Sequence, residues 1–557
     1  MMKKRITGSI LLAVVVILIT ALLAAGCQPA QTTGSAATTT TAATTGTTKQ
    51  ATTTTAKENL NATGLPIVDQ PITLTALVSQ DSKQPDWNEH PALLEMKERT
   101  NIDVQWECVP SSGFAEKRNL VFATNDLPDF IMRAGLSAEL EIKYATSGQI
   151  VALDTLFDYA PHYGTFIESS DSYIKNIQSP DGHIYSMPMI FTIMGGLVNN
   201  YWINETWLKN LNLPMPTTTE ELYQTLKAFV TGDANQNGKA DELGLSGPYK
   251  SPYTLLNYFH GAWGFGKNSG IIANFFDVDD TGKVRLIVTD PNFKDELMFF
   301  NKLWRENLID KDSFSQDASQ VTAKADADTV GFIPNGNNTQ FIGSNRDNFV
   351  QPPSLKGPAG HSYWVNTNTY VYATGCAVIT SACDYPREAM RWIDYLYSED
   401  GTILVRLGIE GKSYQINADG KYELLDHIKN DPTGLTQDQA LAKWTLYHGG
   451  GMVQYAFDKI DLSAAQLPAI KQATETLLPD LIDLGKIPRL HFTVDESTSL
   501  SYYANDIQTY LNENIINFIT DQRDLATWDS YIADLNKMNA AKYTEVYQAA
   551  YERWLNG

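Results

Sequence analysis

The most specific grouping of chemistry-bearing residues is a short polar loop of Asp233, Ala234, Asn235, Gln236, Asn237, Gly238, Lys239, Ala240, Asp241 and Glu242. Side-chain oxygens stand at loop positions 1, 3 and 5, glycine at 6, a backbone carbonyl at 7 and carboxylates at 9 and 10. Calcium takes about six to eight hard oxygens at about 2.3–2.6 Å, and alternate residues of a tight turn converge on one point. Gly238 permits the sharp bend. An EF-hand carries a bidentate Glu at position 12, which is Gly244 here, so Glu242, or Asp241 in bidentate mode, must close the set. The competing reading is an Asx-rich turn after a helix, without metal. The pattern predicts a structural Ca2+ held by Asp233, Asn235, Asn237, the Lys239 carbonyl, Asp241 and Glu242.

Other chemistries find less support. The eight histidines are nowhere closer than 21 residues apart, so no local pair can hold a catalytic zinc. No Gly-x-Ser-x-Gly elbow occurs, and the run Gly261–Lys267 is followed by Asn268, so no phosphate-cradling Gly-x4-Gly-Lys-Ser/Thr loop is complete. The 64 acidic residues leave carboxylate pairs for glycoside hydrolysis open. A net charge of −22 argues against nucleic acid, which demands a basic stripe.

The elements that must position these groups alternate. Residues 71–79, 102–109 and 129–132 have strand character; 89–100 and 114–124 have helical spacing. Such a series predicts a largely parallel sheet covered on both faces, with ligand beyond the carboxyl ends of its strands. The loop after Ser79 and the segment 129–133 then lie on the working edge. Further helices are expected at 217–232, capped by Thr217 with Glu220 reaching back, and at 293–307, 385–398, 468–484, 500–518 and 526–554.

Before this body, residues 1–26 read as an export signal: Lys3, Lys4 and Arg5 precede an apolar run over 10–23 broken only by Thr20. Leu23, Ala24, Ala25 and Gly26 before Cys27 resemble a bacterial lipobox, which makes Cys27 the lipidated residue. Residues 27–65 form a Thr-rich tether expected to be disordered. Among the remaining cysteines, Cys376 and Cys383 are read as buried free thiols in preference to a bridge, and Cys108 is left over.

Several ordered motifs carry a family resemblance: TNDLPDF at 124–130, DGHIYSMP at 181–188, YWIN at 201–204 and the 233–242 loop. PREA at 386–389, DYLY at 394–397, GIEGKSY at 408–414, FIT at 518–520 and WDSY at 528–531 follow. Together they resemble the extracellular solute-binding lipoproteins of ABC importers (family 1, LplA-like and alginate-binding-protein-like). The calcium loop matches the alginate-binding members position by position. The resemblance implies an α/β, two-lobed periplasmic-binding-protein-like fold of type II. Each lobe is a mixed, mostly parallel sheet flanked by helices, with a hinge between them. Lobe 1 is expected at 66–190 and 375–425, lobe 2 at 191–374 and 426–557, with crossovers near 188–192 and 367–374.

It also implies a monomeric, non-enzymatic binding protein on the outer face of the cell membrane, held there only by lipid. Its partners are an oligosaccharide and ABC transporter permease subunits. A secreted polysaccharide hydrolase or lyase, and a binding lipoprotein for peptides or another non-sugar solute, are the alternatives. Sugar clefts use flat aromatic faces and directed polar groups. By position the candidates are Trp263 between glycines, Trp364 in a polar run, Tyr201 and Trp202 after the first crossover, and Trp87 after the first strand. Asp129, Arg133, Tyr185, Glu410 and Tyr414 are expected in loops at the lobe edges.

Overall fold

The structure, a computed structural model, describes residues 59–557 except 170, 273–274, 335–341, 366–367 and 461–467. The expected signal peptide, Cys27 and the tether up to residue 58 lie outside the described residues. Residues 59–65, expected in the tether, are instead fastened to the body. Leu60 is buried beside Ile67 and Val68, and Arg391 donates to the carbonyls of Asn61 and Gly64. Leu60 ends the purely polar composition, and its burial docks the segment.

The alternating series folds as expected. Strand β1 (Ile72–Gln80) leads to helix Pro91–Thr100, then β2 (Ile102–Pro110), helix Ser111–Thr124 and β3 (Phe130–Met132). Both helices stop at an asparagine in the left-handed region, Asn101 and Asn125, whose amides close on the last turn and release the chain into the next strand. β1 pairs parallel with both β2 and β3. The sheet is completed by β4 (Met187–Phe191), β11 (Val371–Ile379) and β14 (Gln454–Ala456), in the order β14-β4-β11-β3-β1-β2. Only β11 runs against the others, so the sheet is mixed and mostly parallel.

A second sheet has the order β10-β5-β9-β6, from β5 (Tyr201–Asn204), β6 (Leu243–Leu245), β9 (Val330–Pro334) and β10 (Phe349–Val350). Each sheet has its own apolar core, the first around Val78, Met132 and Trp392, the second around Trp207, Phe300 and Phe518. The chain passes between the sheets through 192–200 and through the described part of 351–370, and it leaves the first sheet again after β14. The first two crossings touch, since Asn368 Nδ2 donates to Leu197 O and Phe191 N to Tyr370 O, and the first also meets the end of β14, where Thr192 N donates to Ala456 O.

Several boundaries move. β14 belongs to the first sheet, so the chain returns to the second body after Ala456 rather than at 426; a three-residue strand paired across 260 residues leaves little local signal. Helix Thr219–Thr231 is capped by Thr218, with Glu221 reaching back to Thr217, one residue later than expected. Helix Pro468–Leu477 ends where Pro479 removes an amide. The stretch 526–554 breaks at Asn539 (φ 64°) into Trp528–Lys537 and Ala540–Asn556. Cys108, Cys376 and Cys383 are free, and of these only Cys376 is fully buried. Among the described residues no helix is long and apolar enough to cross a membrane.

Candidate functional site

β1 lies between β2 and β3, and the chain leaves it first to one side and then to the other. The carboxyl ends of β1 and β3 therefore flank a topological switch point, where open α/β sheets take their ligands. Arg133 stands there, one residue past β3, with φ +53°. Its Nη1 donates to Ser79 O and to Gln84 Oε1, each at 3.1 Å, and its Nη2 donates to Leu446 O. The guanidinium also lies over the Trp87 ring, 4.9 Å from the centroid. Burial pushes its pKa down to about 9, opposed by Asp81 nearby.

One cation thus ties together the loops that follow β1 and β3 and the loop that precedes β14. That last loop crosses the site through Gly449, Gly450 and Gly451, all at positive φ. A Cβ on Gly449 would lie 3.0 Å from Asp81 Cβ and 3.1 Å from Arg133 Nη1. Only glycine admits this approach at φ +88°.

Beside this clamp an aromatic strip follows the carboxyl ends of β14 and β4 and the start of β11. Arg406 lies 4.6 Å over the Tyr447 ring and 5.7 Å over Phe191, and Phe191 meets Tyr372 at 5.5 Å. Tyr372 is 39% exposed, and Phe191 and Tyr447 are half-buried. Gln454, buried beneath, receives Arg406 Nη1 at 3.3 Å and has an amide nitrogen without a partner. Flat apolar faces beside directed amide and guanidinium groups are what a pyranose or furanose ring needs.

Sequence reasoning named Arg133 but missed Phe191, Tyr372, Arg406, Tyr447 and Gln454. Their signal was proximity to the crossings, since Phe191 and Tyr372 flank the first two.

The other expected contacts lie elsewhere. Trp263 is 4% exposed and packs on Phe299 in the second core. Its neighbouring glycines serve a different purpose: a Cβ on Gly261 would strike Tyr363 O at 1.7 Å, so they admit a crossing backbone, not a cleft. Trp364 and Tyr201 meet edge to face at 4.7 Å beneath the crossings. Their polar tips are taken by Asn199 O and Pro353 O.

Trp202 and Trp87 are buried in cores. Tyr185 is buried and donates to Asp181. Tyr414 is buried against Tyr422; Glu410 is exposed next to it. Asp129 accepts from Thr75 N and Oγ1 at 2.6 and 2.8 Å, which places it toward the amino ends of the strands, away from the working edge. Asp129 precedes β3 and so stands at its amino end, whereas the sequence reading counts 129–133 together as the working edge.

The loop expected to hold calcium follows helix Thr219–Thr231. Asp233 accepts from Gly238 N at 3.1 Å, Asn235 Oδ1 from Asn237 N at 3.1 Å, and Asn237 Oδ1 from Lys239 N at 2.8 Å. The amides of Asn235 and Asn237 both donate to Asp241, which lowers its pKa. Glu242 is 6% exposed, and its Oε1 is buried without a partner. Among the described residues no three His, Cys, Asp or Glu side chains gather as a metal cluster. The donor set instead mixes carboxylates with amide and backbone oxygens, and the orphaned Glu242 oxygen fits a hard cation at this turn.

Comparison with known proteins gives four findings. The family described as bacterial extracellular solute-binding protein matches residues 86–403. The fructooligosaccharide ABC transporter substrate-binding protein FusA of Streptococcus pneumoniae is 28% identical over 481 residues, covering 84% of this chain and 88% of FusA. FusA structures with kestose, and of an EF-hand mutant with fructo-nystose, each superpose with a TM-score of 0.70 at 26% identity, covering 87% of this chain and 100% of FusA. An HMO-binding solute-binding protein from Bifidobacterium longum infantis shares the fold at TM-score 0.74 and 19% identity, over 87% of this chain and 99% of that one.

Proposed function

The chain belongs to the bacterial extracellular solute-binding protein family, and on that premise we propose that it captures an oligosaccharide between two α/β bodies and passes it to the permease subunits of an ABC importer. The observation that carries this reading is the strip of Tyr372, Phe191 and Tyr447 at the carboxyl edge of the first sheet, beside the crossings. The rings provide stacking faces, Arg406 and Gln454 provide directed polar contacts, and Arg133 positions the loops around them. FusA, similar over most of both chains, is by its name a fructooligosaccharide-binding protein, which supports a short fructan or related oligosaccharide as the ligand class.

Closure of one body over the other buries the guest without changing it covalently. Calorimetry against an oligosaccharide panel that includes kestose tests the reading. Binding with the sugar recovered intact is expected. Release of new reducing ends, or silence toward every sugar with a response to peptides, would refute it.

Two further features belong to the proposal. Asp233, Asn235, Asn237, the Lys239 carbonyl, Asp241 and Glu242 hold a structural Ca2+ that ties the end of helix Thr219–Thr231 to the strand beyond; the orphaned Glu242 oxygen supports this. Lipidation at Cys27 holds a monomeric body at the outer membrane surface. Cys27→Ser is expected to move the protein from the membrane fraction to the medium.

A further inference from the structure

A second cavity, of about 200 Å³, lies away from the carboxyl edge. It opens where the segment 171–182, whose Ile174 and Ile177 pack in the first core, meets the loop 484–493 and the last helix, whose Ile487 and Tyr551 pack in the second. Its lining includes Lys175, Ser179, Arg489, His491, Arg553 and Gly557.

Two buried polar atoms on this lining have no partner: Ser179 Oγ and His491 Nδ1. Their residues are 3% and 7% exposed. The state of His491 follows from its other nitrogen. Nε2 lies 3.1 Å from the Asn176 carbonyl, and a carbonyl only accepts, so Nε2 carries the proton. Burial first, then Arg489 and Arg553, push the pKa of the ring down. His491 is therefore neutral and offers Nδ1 as a bare acceptor.

The charges around the cavity are unbalanced. Arg553 is matched by Glu496 at 2.6 Å. Arg489 spends Nε and Nη2 on the carbonyls of Val371 and Tyr372, and Lys175 donates to Leu555 O at 2.7 Å. Among the described residues, neither Arg489 nor Lys175 forms an ion pair.

Two cations without counter-charge call for an anion, whereas the bare Nδ1 calls for a ligand that donates a proton in a hydrogen bond. Water answers the second requirement and not the first; sulfate answers the first and not the second. We propose that this crevice binds a phosphate group that still carries a proton, either free phosphate or a phosphate monoester. Its P–OH donates to His491 Nδ1, and its remaining oxygens accept from Ser179 Oγ and face Arg489 and Lys175. Because the crevice joins segments of both cores, its occupant braces one body against the other.

The test is calorimetry on the full chain without sugar, at neutral pH and matched ionic strength, with inorganic phosphate and with sulfate. It is repeated on a chain extended by two glycines so that no terminal charge lies at Gly557. Phosphate is expected to bind in both, with sulfate weaker by about tenfold or more, the cost of an unmet buried acceptor. Ser179→Ala and Lys175→Met are each expected to weaken phosphate about fivefold or more. Glycerol 3-phosphate separates the sources: tighter binding than inorganic phosphate assigns an ester, weaker binding the free ion. Absence of phosphate binding, equal binding of sulfate, or undiminished affinity in both variants would overturn the assignment.

Discussion

Glu141 offers a prediction whose size follows from its surroundings. Its side chain is fully buried in helix Ala138–Thr146. Oε1 accepts from Ser186 Oγ at 2.7 Å, and that hydroxyl in turn receives Gly375 N at 3.0 Å. Oε2 has no partner. Burial raises the pKa of the carboxyl from 4.5 to about 7, with only the Ser186 bond opposing it.

A folded-state pKa above the unfolded one means that the native state holds the extra proton between those two values. Stability from this group is then greatest below the ordinary carboxyl range and declines as pH rises through 4.5 toward 7. Above that it stays constant at a cost of about 3 kcal/mol relative to acid. Glu141→Gln removes the titration while keeping the shape.

Urea midpoints of wild type and variant, compared from about pH 5 to about pH 8, subtract every other titrating group. The variant is expected to gain on wild type by about 2.5 kcal/mol across that range, whatever constant offset the amide introduces. Parallel curves would refute the burial argument.

Arg133→Met should destabilise by about 2–4 kcal/mol, since it leaves the carbonyls of Ser79 and Leu446 without donors, and should weaken sugar binding by loosening the loop over the site; urea denaturation and calorimetry read both. Tyr372→Ala should cost about 1 kcal/mol of sugar affinity, near fivefold, without moving the urea midpoint; an unchanged affinity would take Tyr372 out of the site. Chelation should lower the melting temperature of wild type, by an amount equivalent to about 3 kcal/mol if calcium had stood at a hundred times its Kd. Glu242→Gln should blunt that response, and a melting temperature indifferent to chelator would count against the metal.

The regular part of the fold was legible because local signals agreed with global ones. Between Ile72 and Met132 each strand is β-branched, each helix ends on an asparagine suited to the left-handed cap, and the connections are short. Features made by distant pairing were not legible. Nothing near 454–456 announces a strand, because its partner is β4. The tandem Thr217 and Thr218 left the cap ambiguous by one residue.

Aromatic residues misled most. Trp263 between glycines looks like a ring standing in a cleft until the backbone of Tyr363 is seen to need that space. Tyr372 and Phe191 sit inside plain strand sequence, and only the sheet order brings them to the edge beside Arg406. The place of Arg133 after a strand end is a matter of order along the chain, which sequence retains.

The touching crossings have a mechanical consequence. A door hung on one pin can twist and sag as well as swing; one hung on several pins in a row can only swing. With Thr192, Ala456, Tyr370 and Phe191 laced together, sliding and twisting of one body past the other are opposed, and opening about the laced edge is left.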